Sequence, residues 1–311
     1  MLLLSHDEAF LRHDAGPGHP ESPDRLTAIL AHLDRAGITD ASRRVAPREA
    51  TREELARVHT DAHVETIRAV SERTGYLDGD THVGKDSWEA ARLAAGSTLA
   101  VADEVMAGPD RRGLCLVRPP GHHATSTRAM GFCLFNNVAV CARHLQDRHG
   151  VGRVAIVDFD VHHGNGTEEI FSTDETVLYL STHRWPFYPG TGGPDAPEFV
   201  ATVNIPLRDV TRPDEFHASF DDGMEDVRAF APEVVLVSAG FDAHVDDPVG
   251  GLNLDADDFA RITERIVGVA EETAEGRIVS VLEGGYGLDV LGPCVEAHAR
   301  ALSPGEGVDG V

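Results

Sequence analysis

Lysine is almost missing from this chain: of 27 basic residues among 311, only Lys85 is a lysine, and 52 acidic side chains bring the formal charge to −25. Nucleic-acid binding relies on clustered Lys and Arg that release counterions from phosphates, so this balance excludes a nucleic-acid partner. An anionic membrane surface is disfavoured for the same reason. No run approaches the ~20 apolar residues needed to span a bilayer. Met1-Leu2-Leu3-Leu4 is too short for a signal sequence and runs straight into Ser5-His6-Asp7-Glu8, so a cytoplasmic location is expected. The cysteines Cys115, Cys133, Cys141 and Cys294 lack Cys-x-x-Cys spacing, which argues against a thiolate zinc site or redox pair and for buried reduced thiols. Low-complexity blocks, internal repeats and a Pro/Ser-rich linker are also missing. With 41% apolar residues, the chain is not disordered.

The acidic excess is spread along the whole chain. It fits genome composition or a salt-adapted surface, and it equally fits a field that attracts cationic substrates.

Short β-branched runs alternate with stretches of helical period. The runs at 2–5, 114–117, 154–159, 176–181, 200–205, 234–238 and 278–282 read as strands, and most are apolar without alternation, as in a parallel sheet covered on both faces. Helix starts are marked by Ser22-Pro23, by the capping box Thr51-x-x-Glu54 and by Asp255; the Ser22-Pro23 helix carries Leu26, Ile29, Leu30 and Leu33 on one face and ends at Gly37. The Asp255 helix carries Phe259, Ile262, Ile266 and Val269. The expected fold is α/β, three layers around a mostly parallel, roughly eight-stranded sheet. One catalytic domain is expected over residues 1–302, with a flexible tail at 303–311.

Open parallel sheets bind ligands beyond the carboxyl ends of their strands. Four such ends are rich in polar residues: Arg118-Pro119-Pro120-Gly121-His122-His123, Asp158 to Thr167, Ala239-Gly240-Phe241-Asp242, and Glu283-Gly284-Gly285-Tyr286. An extended backbone would place Asp158, Asp160 and His162 on one face at ~6–7 Å intervals. Two of these with Asp242 would make a three-ligand site whose open fourth position marks a catalytic metal. His122 and His123 suit acid/base work. Tyr286, on a glycine turn, can reach an oxyanion.

These residues, together with His19-Pro20-Glu21-x-Pro23-x-Arg25, Gly131-Phe132-Cys133, Asn136-Asn137, Ser181-Thr182-His183 and Pro189-Gly190-Thr191-Gly192, resemble the zinc-dependent histone deacetylases and their bacterial relatives, the histone deacetylase-like and acetylpolyamine amidohydrolases of the arginase-deacetylase fold. The Glu-Gly-Gly-Tyr and His-His-Gly-Asn-Gly variants resemble the class II branch. The resemblance implies zinc on Asp160, His162 and Asp242, with ferrous iron as the other native candidate. It implies His123 as general base and acid, His122 as its electrostatic neighbour, and Tyr286 as oxyanion donor. Asp158 would orient His122, and Asn165 stands behind His123, where class I members carry aspartate. An amide cannot raise imidazole basicity as a carboxylate does, so His123 is expected to be the less basic of the pair.

The resemblance further implies aromatic walls at Phe132 and Tyr188 beside Gly131, and a structural potassium near Asp158, Asp160, His162, Ser181 and Thr182, with a second cation site near Phe171 and Val177 compatible with it. Arg25 takes the place of an arginine tied to acetate release, with a structural ion pair as the alternative. Asp80 serves either as a rim contact or as a turn residue. Acetyl-lysine in peptides or proteins is the first substrate reading and acetylated polyamines the second: the polyamine-selective branch carries a glutamate seven residues after the last ligand, where this chain has Val249. An arginase-like manganese ureohydrolase and a catalytically silent acetyl-lysine-binding module are the competing classes. A homo-oligomer remains open.

Overall fold

Strands covered on both faces lose their period-two alternation, and Val154–Asp158, Val234–Ala239 and Ile278–Leu282 are buried along their whole length. The computed structural model describes residues 1–303; of the tail expected at 303–311, residues 304–311 lie outside the described residues. In chain order the elements are β1 (Leu3–Ser5), a 3-10 turn (Glu8–Arg12), α1 (Pro23–Arg35), α2 (Ile38–Ala41), β2 (Arg43–Arg44), α3 (Arg52–Ala56) and α4 (Asp61–Arg73). A hairpin of β3 (Gly75–Tyr76) and β4 (His82–Val83) leads to α5 (Ser87–Ala107), β5 (Arg112–Cys115), α6 (Asn137–His149), β6 (Val154–Asp158) and α7 (Asn165–Phe171). Then come β7 (Val177–Arg184), β8 (Thr202–Leu207), α8 (Pro213–Phe230), β9 (Val234–Ala239), α9 (Ala256–Thr273), β10 (Ile278–Leu282) and α10 (Leu288–Leu302).

Eight strands form one sheet in the order β2-β1-β5-β10-β9-β6-β7-β8. Every neighbouring pair in it is parallel. Helices α8, α9, α10 and α1 pack in sequence over one face, and α5 and α6 pack together over the other. The expected three-layer α/β architecture around an eight-stranded parallel sheet is therefore present.

Local signals behave as their chemistry dictates. The Thr51 hydroxyl accepts from Glu54 N–H while the Glu54 carboxylate accepts from Thr51 N–H, closing the capping box. Asp255 caps α9, whose Phe259, Ile262, Ile266 and Val269 are buried. Ser22 precedes Pro23 at the start of α1 but makes no side-chain cap bond. All four cysteines are free and buried.

Several readings need correction: the strands expected at 176–181 and 200–205 run Val177–Arg184 and Thr202–Leu207. The strand expected at 114–117 runs Arg112–Cys115, because Gly113 leaves room for Val101 of α5 and Arg112 snorkels to the Leu302 carbonyl. The edge strand Arg43–Arg44 lay outside the expected set. Most importantly, the extended segment stops at Asp158, and the chain then bends. His162 N–H donates to Asp160 Oδ1 at 2.9 Å and its ring Nδ1 lies 3.0 Å from the same oxygen, so these two side chains meet instead of standing ~6–7 Å apart.

Candidate metal centre and active site

The four polar strand ends belong to β5, β10, β9 and β6, which are consecutive neighbours in the sheet. Parallel strands all deliver their carboxyl ends to one side. Residues as far apart in sequence as Pro120 and Tyr286 therefore line one cavity of about 220 Å³ together with His122, His123 and His162.

Asp160, His162 and Asp242 are buried, and their ligating atoms lie within 4.8 Å of one another. His162 Nδ1 is 3.0 Å from Asp160 Oδ1 and 3.2 Å from Asp242 Oδ2. Backbone amides fix the remaining oxygens: Val161 N–H donates to Asp242 Oδ1 at 2.9 Å and Gly284 N–H to Asp160 Oδ2 at 2.8 Å. Asp242 Oδ2 is buried and accepts no hydrogen bond. A Cβ on Gly284 would stand 2.1 Å from that same oxygen, so only glycine admits it. Ligands about 2.0–2.1 Å from a tetrahedral ion stand ~3.3 Å apart, close to the observed spacing. The charges agree. Burial opposes a charged His162, but the Asp160 and Asp242 carboxylates outweigh it and push the imidazole up to about 10, so the trio favours positive charge. The residues fit a divalent ion.

The histidine pair is differentiated by what lies behind it. His122 Nδ1 bonds Asp158 Oδ2 at 3.0 Å, and that oxygen also accepts from Tyr179 Oη at 2.9 Å. His123 Nδ1 bonds the Asn165 amide oxygen at 2.9 Å. Burial works against charge on both rings, but the Asp158 and Asp160 carboxylates override it at His122 and push it up to about 10. At His123, burial and then the positive charge of His122 and His162 drive the pKa well below the ordinary 6.5. The Asp160 carboxylate and the Asn165 amide pull the other way but do not reverse the fall.

The cavity wall holds Phe132, Tyr188, Gly131, Val249, Asp80 and Tyr286, all singled out from the sequence. Phe132 meets Tyr286 edge-on at 6.0 Å, and Tyr188 meets His123 edge-on at 5.1 Å. At Gly131 (φ +56°), a Cβ would stand 2.4 Å from the His123 ring, so glycine is required there. Burial and the neighbouring Asp78 raise the Asp80 carboxyl. Its main-chain carbonyl accepts from His19 Nε2 at 3.1 Å, which ties the loop to the rim. Burial also lifts the Tyr286 phenol well above its usual range, keeping its proton available. Beneath it, Arg25 is fully buried, donates to the Gly285 and Glu283 carbonyls at 2.5 and 2.6 Å, and pairs with Glu21 at 3.0 Å. Its guanidinium lies 4.9 Å from the Tyr286 ring centre. Asp158 and Ser181 are register partners on β6 and β7, and the buried Thr182 hydroxyl beside them has no hydrogen-bond partner.

Sequence reasoning missed several supports. Phe187 stacks on His162 at 5.2 Å and also lines the cavity; its place beside Tyr188 was the available signal. Asp247 accepts from the Tyr286 and Gly287 amides at 2.6 and 3.0 Å and, through its other oxygen, from Val249 N–H at 2.9 Å. It thereby couples the tyrosine turn to the Val249 loop. Glu283 is fully buried, where burial raises its carboxyl to about 7, and accepts from the Gly121 and His122 amides at 2.6 and 3.1 Å. Each buried N–H left unpaired costs about 1–3 kcal/mol. Glu283→Ala is therefore expected to lower the unfolding free energy by at least that amount, read as a lower denaturant midpoint, and to loosen the His122-His123 loop. An unchanged midpoint would contradict this role.

Residues 19–302 match the family described as the histone deacetylase domain. The chain is 38% identical over 294 residues to a probable deacetylase of Archaeoglobus fulgidus, covering 92% of this chain and 81% of that one. It is 40% identical over 317 residues to histone deacetylase 15 of Arabidopsis thaliana (96% and 56% covered) and 39% identical over 300 residues to polyamine deacetylase HDAC10 of Homo sapiens (91% and 44%). The chain thus spans about half the length of these two eukaryotic relatives. The crystal structure of the HDA15 HD domain matches with a TM-score of 0.90 at 39% identity, covering 97% of this chain and 88% of that one.

Proposed function

Since the chain belongs to the histone deacetylase family and is a hydrolytic deacetylase, we propose that it removes acetyl groups from lysine side chains of peptides or proteins, within one catalytic domain over residues 1–302. The observation that carries the chemistry is the meeting of the Asp160, His162 and Asp242 cluster with His122, His123 and Tyr286 around a single cavity.

Asp160, His162 and Asp242 would hold zinc, with ferrous iron as the other candidate, and the bound ion would supply Lewis acidity that polarises the acyl carbonyl and acidifies water from ~15.7 toward ~7. Asn165 holds the Nδ1 proton of His123, leaving Nε2 as the base that takes the proton of the attacking water. His123 then gives that proton to the departing amine. His122, kept cationic by Asp158, discourages a lasting second charge on His123. The Tyr286 hydroxyl donates to the developing oxyanion. Phe132, Tyr188 and Phe187 enclose the apolar stem of the substrate and exclude water, while Asp80 on the rim accepts from its backbone amide. Arg25, under the tyrosine turn, is the cation toward which acetate departs. Potassium at Asp158, Asp160, His162, Ser181 and Thr182 would satisfy the unpaired Thr182 oxygen.

Acetyl-lysine is preferred to acetylpolyamine because the apolar Val249 lines the cavity and supplies no partner for a distal ammonium. The test compares kcat/KM for an acetyl-lysine peptide with that for acetylated spermidine or putrescine on the zinc-loaded enzyme. The peptide is expected to win, and a ratio strongly favouring polyamine would reverse the assignment. A hydrogen bond to a charged group contributes about 1.5–3 kcal/mol, so Val249→Glu is expected to move that ratio ~10–100-fold toward polyamine.

A further inference from the structure

Away from the catalytic cavity, we propose a second divalent-metal site built from Asp103 of α5 with His144 and His149 of α6, taking a transition ion such as Zn²⁺ on two imidazole nitrogens, one carboxylate oxygen and water. The three ligating atoms lie within 4.8 Å of one another. Nε2 of each histidine is 2.7 Å from the same oxygen, Asp103 Oδ1. The two rings sit 5.8 Å apart at 70°, edge to face, so they converge on one spot without stacking.

Hydrogen bonding alone leaves this trio incomplete. With both imidazoles donating from Nε2, the buried Nδ1 of His144 has no partner, and the Glu54 carboxylate stands 3.8 Å from it. An ion on Nε2 shifts the ring proton to Nδ1, where it faces Glu54, the outer carboxylate that metal-bound histidines commonly use. Arg48 is held on the two Glu54 oxygens at 2.9 and 2.8 Å and does not occupy Asp103. His149 lies in the last turn of α6, where the helix dipole favours a cation.

Access is also present. The Asp103 and His149 side chains are 41% and 21% exposed, leaving an entry path and a position for water, while His144 is buried. Two nitrogen donors select Zn²⁺, Ni²⁺ or Cu²⁺ over Mg²⁺ and Ca²⁺. The site is separate from the catalytic one. Helix α6 starts against the Gly121 backbone, and its rise of ~1.5 Å per residue carries His149 ~18 Å further along. A bound ion would clamp α5 to α6.

The test soaks crystals of the full chain in Co²⁺ and collects data at the cobalt edge. A peak between Asp103, His144 and His149 is expected beside the catalytic one, and it should vanish in His149→Ala while the catalytic peak stays. In solution, equilibrium dialysis against Zn²⁺ should give two ions per wild-type chain and one per His149→Ala chain, with deacetylase turnover unchanged. His149→Gln serves if the alanine variant misfolds. A peak at the catalytic cluster alone, or equal zinc content in wild type and variant, overturns the proposal.

Discussion

His123→Ala is expected to lose turnover by ~10²–10⁴-fold while retaining its catalytic metal, the range typical of a missing general acid and base. The separation of effects follows from geometry. Nδ1 of His123 is committed to Asn165, and the ring lines the cavity without belonging to the Asp160, His162 and Asp242 cluster. Metal content of the purified variant should match wild type. The sign of the pH dependence follows from the direction of the shift: a base works unprotonated, so activity falls as pH drops through its pKa. Burial and the charges of His122 and His162 lower that pKa well below 6.5, and a cation among the ligands pushes the same way. The acid limb of kcat is therefore expected well below pH 6.5, and wild-type activity should be flat through neutrality on that side. A limb near or above 6.5, or a His123→Ala variant with near-normal turnover, would show that another group moves the proton.

Tyr286→Phe should cost ~10²–10³ in kcat with little change in KM or in metal content, since losing one oxyanion donor has that effect. The phenol stays protonated under burial, and its position is fixed from below and behind by Arg25 and by the Asp247 carboxylate on its backbone amide. Removing the hydroxyl leaves these contacts and the ring packing on Phe132 in place. The loss should therefore appear in the chemical step. Full activity in Tyr286→Phe would remove Tyr286 from the mechanism.

How far the sequence carried these conclusions differs by element. Strand β10 and helix α9 were legible because each carries a clear pattern: Ile278–Leu282 is apolar but for Ser280, and Asp255 caps a clean helical stripe. Strand β5 was misread by two residues because Arg112 and Gly113 look unlike strand residues, and only the packing of Val101 over Gly113 explains them. The motif-bearing ends were legible because parallel topology puts them on one side. The close approach of Asp160 and His162 was not, since it depends on a bend after Asp158 that a period-two reading cannot contain. The supporting roles of Glu283 and Asp247 were missed for a related reason. Their partners are backbone amides of distant loops, a kind of contact with no residue-type signature. The Asp103, His144 and His149 trio joins two helices whose packing no local pattern announces.

The central claim is that one catalytic ion sits among Asp160, His162 and Asp242, under the histidine pair and Tyr286. A crystal of zinc-loaded protein measured on both sides of the zinc edge tests it most directly. The account predicts an anomalous peak bonded to Asp160, His162 Nδ1 and Asp242 Oδ2, absent in Asp242→Ala together with all deacetylase activity. Zinc located only elsewhere, or an Asp242→Ala enzyme that still deacetylates at the wild-type rate, would contradict it.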